Sequence, residues 1–173
     1  PEDFAGLPVI EHDGIQHPIA DLSVLPVTAQ GKRLLTFTHR PERGLENLVA
    51  PGGIMDQLGE DFHLAVCHYD NPVPDERIAA YHEQLWRRCQ EMPNVTLLPP
   101  QTKAGLYALM RSAWLHIYPA MFEETSCITA METQAAGLPI LATTQGALPE
   151  TLAEAGAELI PPRDGRVDIE AFV

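Results

Sequence analysis

Two carboxylates and two arginines stand out as residues that could do chemistry together. Glu124 and Glu132 lie eight residues apart, on either side of Thr125-Ser126-Cys127, where a helical run begins. A helix starting there leaves its first backbone N–H groups, from Thr125 to Ile128, without intrahelical partners. Together with the positive end of the dipole they suit a phosphate. Far upstream, Thr38-His39-Arg40-Pro41-Glu42-Arg43-Gly44-Leu45 puts Arg40 and Arg43 at a second helix start. Cations oppose the dipole at that end, so they need another reason to be present, and a planar guanidinium fits a diphosphate well. Carboxylates near a phosphate are compatible with it if they accept hydrogen bonds from hydroxyl groups of the same ligand. A sugar nucleotide has that make-up, with hydroxyls on the ribose and the hexose and a diphosphate between them. The residues alone leave plainer alternatives open. Glu124 can be a charge at a helix start, Glu132 a solvated helix position, and the arginine loop an exposed segment with a weak Arg–Glu pair.

Other chemistries lack their residues. No GxGxxG follows the first strand, and neither GxxxxGK[ST] nor GxSxG occurs, which removes dinucleotide, P-loop and hydrolase-elbow readings. There is no Asp-x-Asp and no histidine pair at ligand spacing, so no metal is expected. His12, His17, His63 and His82 read as surface or packing residues. Tyr69 and Trp86 could stack on a base, although Trp86 sits on a helical core face. The formal charge of −13 over 173 residues argues against a general nucleic-acid or anionic-membrane binder. Cys67, Cys89 and Cys127 form no CxxC pair, and the acidic start resembles no signal peptide. These features, with no apolar run of membrane-spanning length, point to a cytoplasmic protein with no membrane span. Asn94-Val95-Thr96 matches a glycosylation sequon, discounted without a secretory signal.

The elements that must hold these residues alternate. Residues 1–30, rich in Pro, Gly and His, read as a linker with one short strand at most. Strands are expected at 34–38, 62–67, 95–98, 115–118, 140–143 and 158–160, all continuous apolar runs of the kind buried on both faces. Helices are expected from about Gly44, broken at Pro51-Gly52-Gly53, then from Asp75 to Cys89 along Ile78, Leu85, Trp86 and Cys89. Another follows Thr102 as cap, carrying Leu106, Leu109 and Met110. The clearest runs from about Ser126 to Ala136, capped by Thr125 or Ser126, with Ile128, Met131 and Ala135 as its apolar face. Gly137 stops it and Pro139 follows. Leu148 to Ala155 is a further helix, and 169–173 resembles a helix cut short. Alternation with long connections means a doubly wound parallel sheet, a Rossmann-like α/β fold. Ligands of such sheets bind beyond the C-terminal ends of the strands.

Taken together, these motifs resemble a known family. The run from Tyr118 to Ile140, with Glu124, Glu132, then Ala135-Ala136-Gly137-Leu138-Pro139-Ile140, resembles the signature of the group 1 (family 4-like) glycosyltransferases, retaining enzymes of the GT-B fold. Gly146-Ala147-Leu148-Pro149-Glu150 is similar to their Gly-Gly-x-x-Glu turn. His39-Arg40-Pro41-Glu42-Arg43-Gly44-Leu45 is similar to their phosphate loop, and Val9-Ile10-Glu11-His12-Asp13-Gly14-Ile15 to their interdomain segment.

The resemblance implies that residues 1–30 are an interdomain linker leading into the domain. Residues 31–173 would be the donor-binding Rossmann-like half of a GT-B enzyme, ending before the crossover helix to an N-terminal acceptor-binding domain that this chain lacks. Glu124 would contact the transferred sugar near the reacting carbon, and Glu132 would hold the ribose hydroxyls. Arg43, with Arg40, would neutralise the diphosphate, and backbone groups of Thr125, Ser126, Cys127 and Ile128 would face the phosphates. His68, Tyr69, Pro99 and Gln101 would line the base pocket. The donor is a nucleotide diphosphate sugar, with no cofactor and no metal, and the acceptor is unspecified. Departures from the pattern are Thr125-Ser126-Cys127 where many members have Gly-Phe-Gly, Ala120 for Ser, and Pro99 for Gly, which bear on the donor sugar. Two other functions fit the same resemblance. One is a non-catalytic nucleotide-binding regulatory or scaffolding module, and the other is a nucleotide-sugar epimerase domain.

Overall fold

A computed structural model describes residues 31–68, 73–152 and 156–173. The 1–30 segment and Tyr69 therefore lie outside the described residues. Six strands form one parallel sheet: β1 (Arg33–Phe37), β2 (Phe62–Cys67), β3 (Val95–Leu98), β4 (Leu115–Tyr118), β5 (Ile140–Thr143) and β6 (Ala157–Ile160). Their spatial order is β3-β2-β1-β4-β5-β6. Register is set by in-line partners such as Leu35 with Leu64 and with Leu115, and His116 with Ile140.

Alternation along the strands sorts side chains to two faces. Leu35, Phe37, Leu64 and Val66 join the main core, which takes in Leu45, Leu48, Ile54, Leu85 and Trp86 from the helices. Leu34, Ala65 and Cys67 turn the other way and meet Leu109. Both faces are thus covered, which is why these strands are mainly apolar. The helices of the main face are α1 (Leu45–Val49), α2 (Ile54–Gln57) and α3 (Glu76–Glu91), and Leu109 belongs to α4 (Lys103–Ser112). The break expected at Pro51-Gly52-Gly53 separates α1 from α2, with Gly52 at φ 77°.

Two caps work as the sequence suggests: the Asp75 side chain accepts from the Arg77 N–H, and Thr102 from the Gly105 N–H. On α3 the buried stripe is His82, Leu85, Trp86 and Cys89, while Ile78 one turn earlier is exposed. The greater difference is at α5, which spans Ile128–Ala135 with Cys127 in the cap position and no side-chain capping bond. Thr125 and Ser126 are exposed in the preceding loop rather than capping. Its expected apolar face is turned out: Ile128 is 66% exposed, Met131 44%, and Ala135 is exposed as well. The residues it buries are small, Ala130 and Thr133, and the Thr133 hydroxyl donates to the Thr129 carbonyl. Small residues let this helix sit close to the sheet, so its buried face carries little hydrophobic signal. The helix expected from Leu148 is described as α6 (Leu148–Thr151), and the C-terminal run is a short 3-10 turn, Ile169–Phe172.

The order reverses direction between β1 and β4. In open α/β sheets ligands bind at such a switch point, outside the strands' C-terminal ends.

Candidate functional site

The loop leaving β1 and the loop leaving β4 are locked together by backbone contact. After β1 the chain makes a 3-10 turn, Pro41–Arg43, and Gly44 follows at φ 112°. A Cβ on Gly44 would lie 2.6 Å from the Pro119 carbonyl oxygen, so only glycine lets the two loops approach this closely. The Asn47 amide closes the same contact, donating to the Pro119 oxygen at 2.8 Å. A third loop is fixed in the same way. Gly146, at φ 55°, lies against the backbone of Glu124, where a Cβ would come within 2.3 Å of its oxygen. The Ala147 N–H then donates to that oxygen at 2.6 Å.

This framework brings Arg43 and Glu124 together. Arg43 Nη1 donates to Glu124 Oε1 at 2.5 Å, and the Tyr118 hydroxyl donates to the same oxygen. The guanidinium carbon lies 3.7 Å from the centre of the Phe122 ring, a cation–π contact. Burial pulls the Arg43 guanidinium down, but the hydrogen bond and charge of Glu124 outweigh it and hold Arg43 above its ordinary value. The Tyr118 phenol is pushed well up by burial, then by the bond to Glu124 and its charge. It therefore stays a protonated donor at any working pH.

Beneath this pair lies a buried polar chain. The Tyr118 ring stacks on His39, with centroids 3.7 Å apart and planes at 12°. His39 Nε2 meets His116 Nε2 at 3.0 Å, and His116 Nδ1 meets Thr36 Oγ1 at 3.0 Å. One ring must donate and the other accept, which two neutral imidazoles can do with complementary tautomers. Burial, then the neighbouring His116 and Arg43, lower His39 well below its ordinary value, and burial takes His116 down to about 3. Cys127 borders the site, its thiol pushed up to about 11 chiefly by burial. Ligand-type atoms of His39, Glu124 and Cys127 lie within 4.8 Å of one another. A metal ion there would have to share Glu124 with Arg43, and like charges at that range repel strongly.

The other expected residues lie on the segments that follow β1 to β4. Glu132, far from being solvated, accepts from Lys103 Nζ at 2.5 Å and from the Tyr107 hydroxyl at 3.2 Å, both on α4. His68 leaves β2 with its N–H on the Leu98 carbonyl, its ring 4.8 Å from that of the buried Trp86. Beside it, after β3, the Gln101 amide donates to the Pro99 carbonyl at 2.6 Å. Arg40 pairs with Glu42 at 3.8 Å and is half exposed, while Thr125, Ser126 and Ile128 face outward around the start of α5. The structure thus joins Arg43 and Glu124 directly, with Cys127 nearby, and sets Glu132 at a separate point on α5, against α4. Sequence reasoning passed over Tyr118, Phe122, Lys103, Tyr107 and the His39–His116–Thr36 chain. The available signal was polar residues within strands whose neighbours are all buried.

Comparison with known proteins gives this arrangement a context. Residues 59–172, well over half of the chain, match the family described as glycosyl transferases group 1. The chain belongs to that family. Like this group 1 glycosyltransferase chain, a D-inositol 3-phosphate glycosyltransferase of Mycobacteroides abscessus carries a matching stretch, 37% identical over 68 residues. That stretch is 39% of this chain and 15% of the relative. Among solved structures, Anabaena HepE in complex with UDP and glucose superposes with a TM-score of 0.65 at 15% identity. The match covers 87% of this chain and 40% of that one. Sucrose-phosphate synthase from Thermosynechococcus elongatus gives 0.61 at 24% identity, over 90% and 39% respectively. These likenesses establish the fold as the Rossmann-like α/β arrangement of GT-B glycosyltransferases. The present glycosyltransferase chain spans less than half the length of these relatives.

Proposed function

We propose that this chain is the donor-binding half of a retaining glycosyltransferase and binds a nucleotide diphosphate sugar across the crevice above β1 and β4. The observation that carries this reading is the placement of Arg43 and Glu124, an anion-binding group and a hydroxyl acceptor, side by side at the switch point of the sheet. In this reading Arg43 turns from Glu124 to the diphosphate, with Arg40 and the N–H groups of Thr125 to Ile128 as further donors. Glu124 then accepts from hydroxyls of the sugar. Glu132 takes the ribose hydroxyls, with Lys103 and Tyr107 keeping its carboxylate oriented, and the base lies near His68, Pro99 and Gln101.

The chemistry asked of this half is leaving-group stabilisation. As the bond from the anomeric carbon to the diphosphate oxygen breaks, charge gathers on that oxygen, and fixed cationic and N–H donors are most effective there. Arg43 supplies the positive charge at the place where a metal would otherwise be needed, so no metal is assigned. Anabaena HepE, whose fold is similar, binds UDP and UDP-glucose, in keeping with a nucleotide-sugar donor. No helix among the described residues is long and apolar enough to cross a membrane.

Calorimetric titration with UDP, GDP and ADP tests the reading, alongside Arg43→Ala and Glu132→Ala. Saturable binding of one nucleotide, weakened in both variants, is the expected result. Binding that survives both substitutions would place the site elsewhere.

A further inference from the structure

We infer that Tyr118 is a positioning residue for sugar recognition: it retains the Glu124 carboxylate when the diphosphate draws Arg43 away. The inference rests on the donor reading above and assigns a role to a residue that opens the signature-like run but to which the sequence analysis attached no function. Glu124 Oε1 has two donors of opposite character. Arg43 is 27% exposed, comes from a loop, and rests on Phe122, itself 44% exposed. It can swing to a ligand. Tyr118 is fully buried at the end of β4, and its ring is fixed by the His39 stack and, through His39, by His116 and Thr36. It cannot follow.

The consequence is a division of labour. A diphosphate and Glu124 compete for one guanidinium, and each anion that Arg43 leaves must be compensated by another donor, because an unpaired buried carboxylate is costly. Tyr118 is that donor. With its hydroxyl in place, Glu124 keeps its position and presents its remaining lone pairs to sugar hydroxyls. Without it, Glu124 must either keep hold of Arg43, at the expense of the phosphate, or turn out to water. In both cases the sugar loses its acceptor.

The test uses the whole chain, titrated with UDP, GDP and ADP and with UDP-glucose, GDP-mannose and ADP-glucose. The quantity read is how much more tightly the sugar nucleotide binds than the nucleotide alone. Tyr118→Phe keeps the ring on His39 and should reduce that ratio about tenfold, the effect of one hydrogen bond to a charged group. In a Glu124→Ala background the same substitution should leave the ratio unchanged, whereas a merely structural role would lower thermal stability equally in both backgrounds. An undiminished ratio in Tyr118→Phe overturns the positioning role and leaves the donor reading standing. A wild-type chain that binds the nucleotide but gains nothing from the sugar overturns the positioning role as well. A wild-type chain that binds none of the six overturns both.

Discussion

At the scale of single residues, the site is governed by the two acceptors that Arg43 can serve. The contact with Glu124 is short and partly buried, and the guanidinium also lies over the Phe122 ring. A lysine at 43 would keep the charge but lose the planar fork and most of the stacking. Arg43→Lys is therefore expected to weaken nucleoside diphosphate binding about tenfold, and Arg43→Ala more, which titration calorimetry would measure. The histidine chain makes a different prediction. His39 and His116 are held neutral in the fold, both below their ordinary value, so the unfolded chain binds protons that the folded one refuses. Stability is then fully present above about pH 6.5, the unfolded histidine value, and falls as pH drops from there towards 3, by at most about 1.4 kcal/mol per pH unit for each histidine. Urea denaturation at pH 7.5, 6 and 5 should show this decline. Replacing His116 by Asn should make the decline shallower, leaving only the share of His39, whatever the variant's absolute stability.

At the scale of elements, two glycines do what no side chain could. Gly44 and Gly146 both have positive φ, and both lie against backbone of the β4 exit loop. Gly146→Ala would force a methyl group into the Glu124 backbone as well as strain φ. A loss of about 2 kcal/mol or more in unfolding free energy is expected, with nucleotide-sugar binding lost in the molecules that still fold. Thr102→Ala, which removes the local cap of α4, should cost about 1 kcal/mol in unfolding free energy, measured by urea denaturation. The same contrast explains what the sequence made legible. β2, β3, β4 and β5 have the expected bounds because runs such as Phe62 to Cys67 are mainly apolar and are followed by turn residues. The Thr102 cap and the Pro51-Gly52-Gly53 break were equally plain. The orientation of α5 was not, because Ala130 and Thr133 bury its close face while Ile128 and Met131 carry its hydrophobic periodicity outward. Arg43 and Glu124 could be named from residue type and resemblance. Their contact depends on two loops 81 residues apart meeting at Gly44 and Pro119, which no local pattern encodes. Tyr118 and His116 were hidden for a related reason: within a strand a polar residue has no local signature of the partner it meets across the sheet.

At the scale of the whole molecule, the sheet order puts the site on a rim and not in an enclosure. β1 and β4 end side by side at the switch point, where Glu124 is buried and Arg43 partly exposed. Met121, Phe122, Ile128 and Met131 are all substantially exposed around the paired Arg43 and Glu124. Ligand recognition tolerates such openness, since one wall can supply charge neutralisation and hydroxyl acceptors. Sugar transfer does not tolerate it as well. A developing cation at the anomeric carbon is captured by whatever nucleophile is nearest, and on an open face that is water. Transfer to a chosen acceptor also requires that acceptor to be held within reach of the reacting carbon, an advantage equivalent to a very high local concentration. Among the described residues, the groups gathered at the switch point form a single wall. The 173-residue chain is therefore expected to bind a nucleotide sugar without transferring it. In an assay that follows both free sugar and glycosylated product, it should at most release sugar slowly to water. Joined to an acceptor-binding half, the same Arg43 and Glu124 should support transfer. In that longer protein Glu124→Ala should abolish transfer while nucleotide affinity stays within a few-fold of wild type. Measurable glycosylation of an added acceptor by the short chain alone would show that one wall is enough.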